Sequence, residues 1–116
     1  MTNILQELNA LLISLGIPIE TGILKGKPPE EYLVITPMSD IYAVFADDQP
    51  QFETQEARVS LFSKQNYIPR KNQIVKALLA AEFIITDRLY IGYEEDVDFH
   101  QYIIDVSKVF EIKEDD

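Results

Sequence analysis

The sequence predicts an α+β fold: a mainly antiparallel sheet of about five strands with two helices packed on one face, in the order α-β-β-β-α-β-β. Two observations lead there. Apolar residues recur at helical spacing over 4–15 and 74–81, and at period two over 31–64 and 83–112. Short polar turns separate the extended runs, which implies hairpins and therefore antiparallel pairing. The 116 residues fit one domain, 1–116, large enough to bury a core without disulfides or metal.

The first helix covers 3–15, with Ile4, Leu8, Leu11, Leu12 and Leu15 on one stripe and Asn3 with Gln6 as a capping box. Gly16 followed by Ile17-Pro18 stops it. Residues 16–30 hold three of the four glycines and three of the six prolines, so they form a connector. A short edge strand fits there at Ile17–Ile19 or Gly22–Leu24. Three strand candidates follow, at 31–38, 40–48 and 51–64. Pro37 ends the first, and Met38-Ser39-Asp40 gives a tight hairpin link to the second. A polar turn at 47–51 leads to the third, which sets Ala57, Val59 and Leu61 against Arg58, Ser60, Phe62 and Lys64. The second helix, 69–81, starts at Pro69 and buries Ile74, Val75, Leu78, Leu79 and Ala81, with Arg70, Lys71 and Lys76 outside. Residues 82–93 form the next strand, with a bend or bulge at Asp87-Arg88, and 99–112 the last, with Tyr102, Ile104 and Val106 on one face. Residues 113–116 extend into solvent as an acidic tail.

Composition narrows the function. No cysteine is present, which excludes a disulfide scaffold, a thiolate metal site and a cysteine nucleophile, and fits a reducing compartment. No basic segment precedes Ile4–Leu15 as in a signal peptide, and no apolar run reaches the roughly 20 residues of a spanning helix. A soluble protein, cytoplasmic where it is made, is expected. The net charge of −10 argues against a binder of nucleic acid or of an anionic membrane, both of which need clustered cations.

Chemical motifs are scarce. The acids Glu94 to Asp98 fall where two strands must reverse, as a solvated hairpin tip, an interaction loop or a metal site. They lack the central glycine and distal glutamate of a calcium loop. His100 is the one histidine, and its neighbours Asp98 and Asp105 could in principle orient it; without a nucleophile or second ligand it reads as a surface or edge histidine. The segment "GILKGKPP" lacks the spacing and hydroxyl of a phosphate-binding loop. Five tyrosines on strands, Tyr32, Tyr42, Tyr90, Tyr93 and Tyr102, read as core packing with wet hydroxyls or as subunit contacts. No catalytic residue, cofactor or metal ligand is assigned, and the protein is not expected to be an enzyme.

Four stretches carry a family resemblance: the N-terminal helix ending at "LGIP", the run "EYLVITPMSDIYAVFADD", the strand "ARVSLFSKQNY" leading into "IVKALLAAEFII", and the closing "FHQYIIDVSKVFE". In order and character they resemble the tail-completion, or head–tail joining, proteins of long-tailed bacteriophages and prophages, whose fold is that of the tail terminators. The resemblance implies a non-enzymatic virion protein that forms a ring, commonly a hexamer, at the head–tail interface, with DNA crossing its lumen. It further implies connector and tail-tube proteins as partners, and the host cytoplasm and then the head–tail junction as location. The acidic loops Asp47, Asp48, Glu94, Glu95, Asp96 and Asp98 are then expected to face the lumen or a partner. The alternative is a small acidic adaptor or inhibitor that binds a basic protein.

Overall fold

The computed structural model describes the backbone of residues 3–20, 28–44 and 50–111, and their side chains except those of 41–44, 50 and 51. Helix α1 (Ile4–Ile13) begins with the expected box. The Gln6 amide donates to Asn3 Oδ1 at 2.9 Å, and the Asn3 amide donates to Gln6 Oε1 at 3.3 Å. Two amides that the helix itself leaves unpaired are thereby satisfied. A third, that of Ile4, donates at 2.8 Å to the buried Gln55 side chain, so the sheet caps the helix too. Gly16, at φ +78, takes the left-handed turn that ends the segment.

The sheet has the strand order β1-β2-β3-β5-β4. Its members are β1 (Ile19–Glu20), β2 (Glu31–Val44), β3 (Pro50–Ser63), β4 (Ile84–Glu94) and β5 (Phe99–Glu111), with helix α2 (Ile68–Ala80) between β3 and β4. All pairings are antiparallel except β1 with β2, where Ile19 and Glu20 run parallel to Leu33 and Val34. The fold is therefore α+β, with a five-stranded, mostly antiparallel sheet and two helices.

The expected element order holds, but its strands fall differently. Residues 31–44 are one strand, not two joined by a hairpin at Met38-Ser39-Asp40. Pro37 pairs with Ala57 and Asp40 with Gln55, so three steps along β2 match two along β3. The extra residue is a bulge. Proline has no N–H to give to a ladder, and a bulge on an outer strand absorbs that loss without ending the strand. The short β1 fills the slot left vacant in the order, starting at the end of the expected Ile17–Ile19 strand; Gly22–Leu24 lies outside the described residues. The same irregularity occurs where expected in β4, between Ile85 and Asp87, and again between Tyr90 and Gly92.

Alternation decides which face the helices cover. Leu33 and Ile35 of β2, Ala57, Val59 and Leu61 of β3, and Tyr102, Ile104 and Val106 of β5 join one apolar cluster with Ile4, Leu8 and Leu12 of α1 and Ile74 and Leu78 of α2. Both helices thus lie on one face, the inner face. Two expectations for α2 are corrected. Leu79 is 56% exposed, because the stripe that reaches the sheet is narrower than the apolar sequence. Arg70 is half-buried: its guanidinium donates to Glu31 at 2.8 Å, to Gln73 at 2.7 Å and to the Leu15 carbonyl at 3.3 Å, tying α2 to β2 and to the end of α1.

Leu78 is fully buried between α2 and the sheet. Leu78→Ala is expected to destabilise the protein by about 2–5 kcal/mol in urea denaturation, since it removes transfer energy and leaves a cavity. A loss under about 0.5 kcal/mol would show that this contact does not hold the helix to the sheet.

Candidate interaction surface

Among the described residues, no helix covers the outer face of the sheet. Its residues are those that alternate with the core set, and several are apolar. Tyr32 and Phe62 are cross-strand partners whose rings stack at 4.8 Å, and Phe99 meets Tyr32 edge-on at 5.5 Å. Ile103 is buried on β5, while Ile84 and Leu89 of β4 and Val109 of β5 are each more than half exposed, at 57%, 53% and 52%. Exposed Ile84, Leu89 and Val109 thus share this face with the buried Tyr32, Phe99 and Ile103.

An ion pair crosses the middle of this face. Arg58 of β3 stands directly opposite Asp105 of β5, and the two join through Nε–Oδ1 at 2.8 Å and Nη2–Oδ2 at 3.1 Å. Asp105 is buried while the Arg58 side chain is 41% exposed, so the arginine lies as a cover over the carboxylate. The hydrogen bonds to Asp105, then its charge and that of Asp87, raise the Arg58 pKa further above its ordinary value. A buried carboxylate left unpaired costs more than the pair contributes.

The β4–β5 turn closes one end of the face. Glu94 ends β4, and Glu95, Asp96 and Asp98 are exposed in the turn that follows. The Asp98 amide donates to the Glu94 carbonyl at 2.8 Å, and Asp98 sits at φ +66, which its short polar side chain tolerates. This is the hairpin tip that the sequence suggests. Asp47 and Asp48 lie outside the described residues. Among the described residues, no group of three His, Asp or Glu side chains is placed to hold a metal ion.

The phenol of Tyr32 titrates above its ordinary value. Burial is the main cause, and the charges of Glu20 and Glu94 add to it, which places Glu94 electrostatically within reach of the aromatic group. His100 lies on the inner face, where its Nδ1 is 2.9 Å from the Tyr90 hydroxyl and its ring packs 4.8 Å from Tyr93. Its hydrogen-bond partner is thus a tyrosine, not Asp98 or Asp105, and Asp105 points to the opposite face. Tyr67 stacks on both Tyr90 and Tyr102, so these tyrosines pack with each other beside the start of α2. The grouping of Tyr32, Phe62 and Phe99 had no place among the expected site residues, although the alternation that buries Leu33 and Leu61 already sets Tyr32 and Phe62 on the other face.

No protein-family model matches the chain, and no curated protein is significantly similar to it.

Two outcomes are expected from these groups. Arg58→Met is expected to lower the urea midpoint, whereas Arg58→Met combined with Asp105→Leu recovers most of the loss, because the double change leaves no buried charge. An unchanged midpoint in the single variant would contradict the covering role. For Tyr32, a folded pKa raised above the unfolded value gives stability that is present below about pH 10 and lost as pH rises through the folded pKa. Alkaline denaturation monitored by tyrosinate absorbance should therefore set in later for Tyr32→Phe than for the parent chain.

Proposed function

We propose that this chain is a non-enzymatic structural protein of a bacteriophage or prophage. It forms a ring at the head–tail interface and joins or completes the tail, with DNA passing through the lumen. The observation that carries this reading is the open architecture. The sheet is covered on one face only, and its eleven-residue edge strand β4 has no partner on its far side among the described residues. That edge carries no Lys or Pro, and Ile84, Leu89 and Ile91 on it are exposed, while its two bulges and the Asp87-Arg88 pair limit how much of it a further strand can join.

A ring subunit needs two different surfaces, one for each neighbour. At the opposite edge, β1 pairs with only Leu33 and Val34 of the 14-residue β2. The unequal edges β4 and β2 supply two such surfaces, on a body measuring 54 × 26 × 23 Å. The charge of −10 suits a lumen that lets DNA pass, since acidic walls repel phosphates. In this reading the tip from Glu94 to Asp98 faces the DNA path or a basic partner loop. The second reading, a small acidic adaptor or inhibitor of a basic protein, is favoured by that same exposed tip.

The deciding experiment is electron microscopy of a lysate from the induced phage lacking this gene. Separate DNA-filled heads and free tails are expected, and normally joined virions would contradict the role. Changing Glu94, Glu95 and Asp96 together to lysine is expected to leave the monomer folded and to create DNA affinity. The salt dependence of that affinity should steepen by about 0.9 in log–log slope for each lysine that reaches a phosphate. A variant that folds and binds no DNA at low salt would place the tip away from the DNA path.

A further inference from the structure

A cavity of about 100 Å³ opens on the outer face, at the end nearest the β4–β5 turn. Tyr32, Phe62 and Phe99 form its aromatic wall, Val97 closes one side from the turn, and Glu94 and Gln101 supply its polar groups. Drug-sized ligands occupy clefts of roughly 300 Å³ or more, so this space suits a single side chain. Its chemistry is divided: apolar along the wall, with one carboxylate and one amide toward the opening.

Among the described residues, these polar groups have no hydrogen-bond or ion-pair partner. The three ion pairs among the described residues use Asp105, Glu31 and Glu7, and none involves Glu94. Neither the Glu94 carboxylate nor the Gln101 amide makes a side-chain hydrogen bond among the described residues. Beside them, the Lys64 ammonium lies 5.2 Å from the centre of the Phe99 ring, so this aromatic wall already accepts a cation on a ring face.

We propose that this cavity receives an arginine side chain of a partner protein, with its methylene stem along Val97, Phe62 and Phe99 and its guanidinium on Glu94 and the Gln101 amide oxygen. Arginine fits because it combines an apolar stem with a planar head that stacks on rings and bonds carboxylates through two parallel N–H groups. Lysine has the stem but only a compact, strongly hydrated point charge. The net charge of −10 steers a cationic partner toward the surface, and the cavity selects where its side chain seats. The inference stands apart from the ring reading, since it needs a basic protein partner and no particular assembly.

The test is titration of the full chain with acetyl-Gly-Arg-Gly-amide, followed by aromatic proton–carbon NMR. The expected result is a saturable shift of the Tyr32, Phe62 and Phe99 ring signals with weak affinity. The isosteric citrulline peptide should produce no saturable shift, and the lysine peptide should bind more weakly. Glu94→Gln should weaken binding about fivefold, as loss of one exposed charge pair does. Lys64→Met, which removes a competing cation, should strengthen it. Glu95→Gln removes a charge from the same tip but does not line the cavity, so it should change affinity little. Equal binding of citrulline or lysine would overturn the guanidinium assignment. Equal weakening by Glu95→Gln and Glu94→Gln would reduce the effect to diffuse charge, and ring signals that never move would remove the site altogether.

Discussion

The interior position of β5, between β3 and the edge strand β4, constrains much else in this fold. The strand lies between β3 and β4, so both of its edges are hydrogen-bonded. From Tyr102 to Ser107 every residue is buried, including those on the face that no helix covers. Such a strand must satisfy two environments at once. On the inner side it offers Tyr102, Ile104 and Val106 to the helices. On the outer side it carries Asp105, which is tolerable there only because Arg58 spans from β3 to meet it. The helices take one side because the apolar alternation of three adjacent strands agrees in register, and among the described residues no helix covers the other side.

Much of this was legible in the sequence, for physical reasons. Period-two patterning is informative wherever one face is buried, and the inner-face residues of 51–64 and 99–112 follow it without exception between Ala57 and Leu61 and between Tyr102 and Val106. The α1 cap was legible because a capping box is a local device and depends on no distant contact. What failed was non-local. A proline followed by Met-Ser-Asp looks like a turn from within its own segment, and only the pairing of β2 with β3 shows that the ladder continues past it. Leu79 and Leu78 are equivalent by composition, and the angle at which α2 meets the sheet decides that one is exposed and the other buried.

The candidate site divides in the same way. The acidic turn was legible as a turn, since acids cluster where a chain reverses in water. Its aromatic neighbours were not, because Tyr32, Phe62 and Phe99 come from three separate segments and meet only through the register of β2, β3 and β5. The aromatic–acidic cavity and the open β4 edge are different features: one has room for a side chain, the other for a strand.

In the proposed role, the uncovered face and the β4 edge become covered on assembly. Amide hydrogen exchange over 84–94, compared between the free protein and the same chain in purified particles, tests it most directly. The free chain should exchange rapidly along the outer side of β4 and slow by an order of magnitude or more, at roughly 1.4 kcal/mol per tenfold change, once incorporated. Incorporated protein whose β4 amides exchange as fast as in the free chain would contradict the account.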